Sequence, residues 1–212
     1  MNADQSPAGT PPSTGSAGSG PTLVYLARHG RTALNAAGAL RGHIDVPLDE
    51  VGRRQARRLG VVLGAKNPSR VVASPLQRAV ETARPVASAA GLEVTLDERL
   101  TDRGYGQWAG VSAEAVVAQW GSLDDAPGVE PVADVRDRAL QALTEIVGRA
   151  TGAAVVVVAH DAVNRIVLAT LDPALGAPDD VPQGTGCFNT LEYQHGWTVV
   201  KVNQIPAGDD LP

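Results

Sequence analysis

Hydrophobic positions in the 212-residue chain fall into short unbroken runs and longer periodic stretches, and the two alternate. Leu23 to Ala27 (LVYLA) is apolar and partly β-branched, the pattern of a buried strand. A loop runs on to Leu48. Asp49 is placed to cap a helix reaching about Ala65, with Val51, Leu59, Val62 and Leu63 near one face. Arg70 to Ala73 reads as a second strand feeding a helix from Pro75, since proline is tolerated in a first turn. Pro85 is expected to kink or end that helix, because it lacks the N–H that the ladder needs. Leu92 to Leu96 predicts a third strand, and Thr101 to Gly110 a loop with three glycines.

Ala113 to Trp120 and Val132 to Ala150 have helical spacing, separated by an acidic connection containing Pro and Gly. Ala154 to Ala159 (AVVVVA) is the clearest buried strand, and it runs straight into His160 and a helix over about Ala162 to Ala169. Cys187 to Tyr193 and Trp197 to Val202 predict a hairpin turning at His195-Gly196. The alternation predicts an α/β fold: a three-layer α/β/α sandwich with a mostly parallel central sheet and a small helical lid. Residues 1–21, dominated by Ser, Gly, Thr, Ala and Pro, predict a flexible tail; 22–205 read as one domain and 206–212 as a C-terminal tail.

Composition narrows the function classes. Hydrophobic residues at 43% and charged residues at 19% give a globular balance, and 3% aromatics leave Val, Ala and Leu to fill the core. A formal net charge of -5 argues against a general nucleic-acid binder while allowing a local basic pocket. Arg greatly outnumbers Lys, and Arg suits bidentate phosphate recognition. The single cysteine, Cys187, cannot form an internal disulfide, and no stretch approaches the roughly 18 unbroken apolar residues of a membrane span. The N-terminus lacks the basic start and apolar run of a signal peptide, so a cytoplasmic enzyme without a membrane partner is expected. A homodimer is the assembly expected by default, dimers being commonest.

Ligands of open parallel sheets sit beyond the carboxyl ends of the strands, where both Arg28-His29-Gly30 and His160 fall. Alone, Arg-His-Gly is a weak signal. It is joined here by Arg28-His29-Gly30-x-Thr32-x-x-Asn35, Gly42-x-x-Asp45-x-Pro47-Leu48 and Gly52-x-x-Gln55-Ala56. Ser74-Pro75-Leu76-x-Arg78-Ala79-x-x-Thr82-Ala83, Leu100-x-Asp102 and Ala159-His160 follow. In these blocks, in this order over roughly residues 22 to 170, the chain resembles the histidine phosphatase superfamily, the phosphoglycerate mutase-like family.

The resemblance implies a metal-independent and cofactor-free phosphohydrolase acting on a small phosphate monoester. It implies His29 as nucleophile, Arg28, Asn35, Arg78 and His160 as the phosphate pocket, and Asp102 as proton donor. Thr32, Arg41, Gly42 and Asp161 are further candidates for substrate binding. An imidazole attacks phosphorus only when neutral, and neighbouring Arg28 and Arg78 should disfavour imidazolium. The arginines should hold Asp102 ionised until a bound phosphate dianion favours its protonated form. Glu98 or Glu81 could supply the acid instead.

Departures from the family pattern are Arg31 where Glu is usual, Asp161 where Gly is common, Ala109 where an acidic residue is frequent, and Asp rather than Glu at 102. Arg31, Arg41 and Arg103 are open between substrate contact and solvated charge. His43 reads as a loop residue near the entrance, His195 as a turn residue, Trp108 and Trp120 as core or lid packing, and Cys187 as a buried small hydrophobe. No His or Cys spacing suits a metal.

Two alternatives stand beside hydrolysis: a mutase and an inactive phosphate-binding module. A mutase must retain a bisphosphate, yet the segment between Gly110 and Val132 has no Lys or Arg and carries Glu114, Asp124, Asp125 and Glu130. An inactive module is expected to lose His29, Arg28, Arg78 or His160, and none is missing.

Overall fold

A computed structural model describes residues 20–150 and 153–207. The tails expected over 1–21 and 206–212 lie outside the described residues, apart from positions 20, 21, 206 and 207. The elements run β1 (Thr22–Arg28), α1 (Ala33–Ala36), α2 (Glu50–Gly64), β2 (Arg70–Ala73), α3 (Gln77–Ala90) and β3 (Val94–Leu96). Then come α4 (Ala113–Trp120), α5 (Val132–Gly148), β4 (Ala154–Ala159), α6 (Asp161–Leu171), β5 (Phe188–Tyr193) and β6 (Trp197–Gln204). The strands form one sheet in the order β3-β2-β4-β1-β5-β6. The first four are parallel, and the β5–β6 hairpin extends the sheet antiparallel from β1.

Side chains of a strand alternate between faces, so a strand covered on both sides must be apolar throughout. In β4, Val155 and Val157 join a core with Leu143, Val147, Val163 and Val167 of α5 and α6. Val156 and Val158 join the opposite core with Leu59, Leu63, Ala83 and Val86 of α2 and α3. β1 divides in the same way, Val24 and Leu26 against Tyr25 and Ala27. Each such burial of a valine or leucine stabilises the fold by roughly 1.5–3 kcal/mol.

α3 departs from the sequence expectation at two points, and the short α1 falls in the stretch expected to be loop. α3 starts at Gln77 rather than Pro75, because Leu76 is extended and its N–H donates to Ser74 Oγ (3.3 Å). Pro85 does not end α3, which continues to Ala90. A methyl group added at Gly60 of α2 would come within 2.8 Å of Pro85 Cβ, and one at Gly64 within 2.5 Å of Ala89 Cβ. The two helices therefore meet almost backbone to backbone, and this packing carries α3 past the missing N–H.

After β1 the chain enters α2 on one face of the sheet, and after β4 it enters α6 on the other. β1 and β4 are neighbours, with Arg28 in register with Ala159, so the sheet opens between their carboxyl ends. The His29 N–H donates to the Ala159 carbonyl (3.1 Å) across that opening. The lid is α4 with a 3-10 turn at Gly106–Trp108, packed round a separate small cluster of Leu40, Tyr105, Val116 and Ala126. Trp108 and Trp120 meet edge to face at 6.1 Å, which is lid packing. Among the described residues no helix is long and apolar enough to cross a membrane.

Candidate active site

His29 and His160 leave β1 and β4 side by side, with ring centroids 5.2 Å apart and both fully buried. The Gly30 carbonyl lies 2.7 Å from His29 Nδ1. A carbonyl only accepts, so Nδ1 carries the proton, and Nε2 keeps its lone pair free. Nε2 is buried and has no partner among the described residues. His160 is held from its other side: Ser74 Oγ lies 2.7 Å from Nε2. Ser74 Oγ also accepts the Leu76 N–H (3.3 Å); when its own proton goes to Nε2, His160 carries its proton on Nδ1, the nitrogen that faces Asp102 Oδ2.

Burial lowers the pKa of both imidazoles well below the ordinary 6.5. The arginines, Arg78 first in each case, add to that push. Sequence reasoning named only the arginines for His29; desolvation is the larger cause.

Asp102 is 1% exposed, with Oδ2 3.0 Å from Arg78 Nη2 and 3.9 Å from His160 Nδ1. Here the structure corrects the expected balance. Burial raises the Asp102 pKa and outweighs Arg78 and Arg41, which act to lower it. The rival carboxylates lie elsewhere: Glu98 is exposed, and Glu81 accepts from the Leu48 N–H (3.0 Å) and Gln77 Nε2 (2.7 Å).

Arg78, fully buried at the start of α3, donates to the Gly42 and Ile44 carbonyls (2.8 and 2.9 Å) as well as to Asp102. Gly42 thus contributes its backbone oxygen. Its φ of +48° is left-handed, and an added Cβ would sit 3.2 Å from the Arg103 carbonyl. Arg28 donates to the Gln183 carbonyl and lies 3.2 Å from Asp161 Oδ1. Seven buried side-chain atoms lack a partner among the described residues, and five of them belong to Arg28, His29, Arg41, Arg78 and His160. An unsatisfied buried polar atom costs about 1–3 kcal/mol, so this concentration marks a place prepared for a polar ligand.

A cavity of about 520 Å³ opens beside them, touched by Arg28, Asn35, Arg41 and Asp161. Thr32 does not line it: its hydroxyl caps α1, and Asn35 Oδ1 returns to the Thr32 N–H (3.0 Å). Arg31 does not line it either, since its Nε is paired with Asp49 Oδ2 (2.7 Å). Arg103 does, paired with Asp124.

Several contributors had no assigned role in the sequence reading. Ser74 and Thr82 lie inside the matched blocks, and Thr82 Oγ1 links the two halves of the site, accepting from the Gly30 N–H and donating to the Arg78 carbonyl. Arg138 donates to the carbonyls of Arg99, Thr101 and Asp102 and pairs with Glu130, which holds the loop bearing Asp102. Nothing local in the sequence marks Arg138 as a support for Asp102, because the contacts that hold this loop are to carbonyls 36 to 39 positions away. His43 is exposed and reaches the Asp102 carbonyl through Nε2 (3.0 Å). Cys187 is buried and free. Among the described residues no group of three His, Cys, Asp or Glu could hold a metal ion.

The description "Histidine phosphatase superfamily (branch 1)" fits residues 24–205. Glucosyl-3-phosphoglycerate phosphatase of Mycolicibacterium vanbaalenii is 37% identical over 174 residues, covering 74% of this chain and 76% of that protein. An uncharacterized phosphatase, PhoE, of Bacillus subtilis is 27% identical, covering 86% of this chain and 94% of that one. The structure of a mycobacterial glucosyl-3-phosphoglycerate phosphatase in complex with VO3 superposes with a TM-score of 0.74 at 27% identity, over 86% of this chain and 98% of that chain. The chain belongs to the histidine phosphatase superfamily, branch 1.

Proposed function

We propose that this chain hydrolyses phosphate monoesters of small metabolites in two steps through a phosphohistidine on His29. In the first step the Nε2 lone pair attacks phosphorus in line, the P–O ester bond breaks, and Asp102 gives its proton to the departing alkoxide oxygen. In the second, water attacks the phosphohistidine, Asp102 takes a proton from it, and the P–N bond breaks to free inorganic phosphate and His29. Arg28, Arg41, Arg78 and the Nδ1–H of His160 hold the equatorial oxygens as charge redistributes.

The single observation that carries this reading is the fixed tautomer of His29. Its Nδ1–H is committed to Gly30, and its buried Nε2 is aimed at nothing else. A burial-raised Asp102 supports the acid role, since a carboxyl must hold a proton near neutrality before it can deliver one. Asn35 and Asp161 at the cavity wall are assigned to substrate contact, and Thr32 and Gly42 to holding those contacts in place. Glucosyl-3-phosphoglycerate, named for the mycobacterial relatives, is the first ester to assay.

The test is p-nitrophenyl phosphate turnover in the presence of a chelator, with acid-labile phosphate trapped on the protein and mapped by mass spectrometry. Turnover with the adduct at His29, both lost in His29→Ala, is the expected result. An adduct at another residue, or undiminished turnover by His29→Ala, overturns the proposal.

A further inference from the structure

The cavity of about 520 Å³ falls in the range of pockets that enclose a whole organic ligand. A phosphoryl group uses only its inner end, at Arg28 and Arg41. The rest of the cavity must face the leaving group, and its charges are arranged differently.

At the inner end two arginines keep unpartnered N–H groups, Arg28 Nε and Arg41 Nε. At the outer end every cation is already matched. Arg103 Nη2 is paired with Asp124 Oδ1 (2.6 Å), and its Nε donates to the Glu130 carbonyl (2.7 Å). Arg165 Nε is paired with Asp161 Oδ1 (2.9 Å), and its Nη1 donates to the Asp179 carbonyl (3.0 Å). Asp124, Asp161 and Asp179 all line the same wall. Asp161 is shared with Arg28 of the inner end (3.2 Å), and Arg103 and Arg165 are balanced by Asp124 and Asp179, so the outer wall carries no net positive charge.

A second phosphate at that end would approach carboxylates with no free cation to receive it, a like-charge contact that costs affinity. A hydroxyl group fits such a wall well. It donates to a carboxylate oxygen and accepts from a guanidinium N–H, so one ion pair serves two sides of a polyol. An alkyl chain would find apolar contact at Leu40, Leu123, Val132 and Ile166, but it would desolvate these ion pairs without offering them a hydrogen bond.

Resting on the phosphatase reading above, we propose that the outer half of this cavity is a subsite for an uncharged, hydroxyl-rich end of the substrate, of sugar or polyol class, and that the Arg103–Asp124 pair reads it. The pair is also what excludes a second phosphate.

The test compares kcat/KM for glucose 6-phosphate, hexyl phosphate, fructose 1,6-bisphosphate and p-nitrophenyl phosphate, in the unaltered chain and in Asp124→Asn. Asp124 sits at the rim with an exposed side chain, so the variant should fold. The unaltered chain should prefer glucose 6-phosphate over both hexyl phosphate and the bisphosphate by about tenfold, the size expected for one charge-assisted hydrogen bond. In Asp124→Asn the glucose 6-phosphate value should fall by about tenfold, hexyl and p-nitrophenyl phosphate should stay within about twofold, and the bisphosphate should rise as Arg103 is released. Hexyl phosphate or the bisphosphate matching glucose 6-phosphate, or a uniform fall for all four esters in the variant, overturns this subsite while leaving the phosphatase reading intact. No turnover of any ester overturns both.

Discussion

In the proposed mechanism one carboxyl, Asp102, has to serve two steps with opposite protonation, and its surroundings set that balance. Full burial favours the neutral acid, while Arg78 at 3.0 Å and Arg41 favour the carboxylate. The result is a raised pKa held in check by a cation, a group able both to give and to take a proton. Asp102→Asn separates the two duties. p-Nitrophenolate leaves without a proton, so the variant should still phosphorylate itself from that ester. It can no longer activate water, however, and the expected trace is a burst of about one nitrophenolate per enzyme followed by slow release. Alkyl phosphates need the proton in the first step, so they should show no burst and lose about 10²–10⁴-fold in rate. Stopped-flow absorbance with the nitrophenyl ester, set beside phosphate release from hexyl phosphate, distinguishes these cases. Equal losses on both esters with no burst would remove Asp102 from the chemistry.

The loop after β1 carries His29, and the first turn of α2 holds that loop by close approach. A Cβ at Gly52 would fall 2.0 Å from the Arg31 carbonyl oxygen, and one at Gly30 would fall 2.5 Å from the Gly52 carbonyl oxygen. Neither glycine has a left-handed φ, so the demand is for space alone. Asp49 completes the joint, capping α2 through Oδ1 to the Gly52 N–H (2.8 Å) and binding Arg31 through Oδ2. Gly52→Ala should therefore destabilise the fold by about 1–3 kcal/mol, the usual cost of overpacking, and should also weaken activity in the fraction that stays folded. Thermal denaturation and assay of the soluble protein check this; a variant with unchanged melting temperature and activity would contradict it. Elements of this kind were partly legible. The cap at Asp49 and the valine run of β4 follow from local chemistry, as did the meeting of His29 and His160 at the ends of two strands. The passage of α3 through Pro85 was not legible, because it depends on Gly60 in a different helix. Arg138, which steadies the Asp102 loop, escaped for the same reason. Backbone carbonyls leave no side-chain pattern to read.

For the whole molecule, placing two neutral imidazoles in the core beside arginines links the fold to pH. His29 and His160 are fully buried, and in the folded chain each binds its proton well below the ordinary 6.5. In the unfolded chain each regains that ordinary value. Between the folded pKa and about 6.5 the unfolded state thus holds more protons, so stability is fully present above about 6.5 and is lost as pH falls through that window to the folded pKa. Each histidine contributes a slope of up to about 1.4 kcal/mol per pH unit. Asp102 acts with the opposite sign. Its folded pKa is raised above the ordinary 3.8, so from there up to the folded value the native state holds the extra proton, and this group favours folding at the acid side. The two histidines outnumber it, and the net expectation is acid destabilisation beginning near pH 6.5 with a slope below two protons. Urea denaturation between pH 5 and 8 measures that slope directly. His29→Asn, which keeps a polar side chain of related shape but cannot titrate, should reduce it by about one proton while leaving the effect of His160. An unchanged slope in the variant would mean that the His29 imidazole takes up its proton in the folded chain as readily as in the unfolded one. A nucleophile so easily protonated could not keep its Nε2 lone pair for phosphorus in mildly acidic solution.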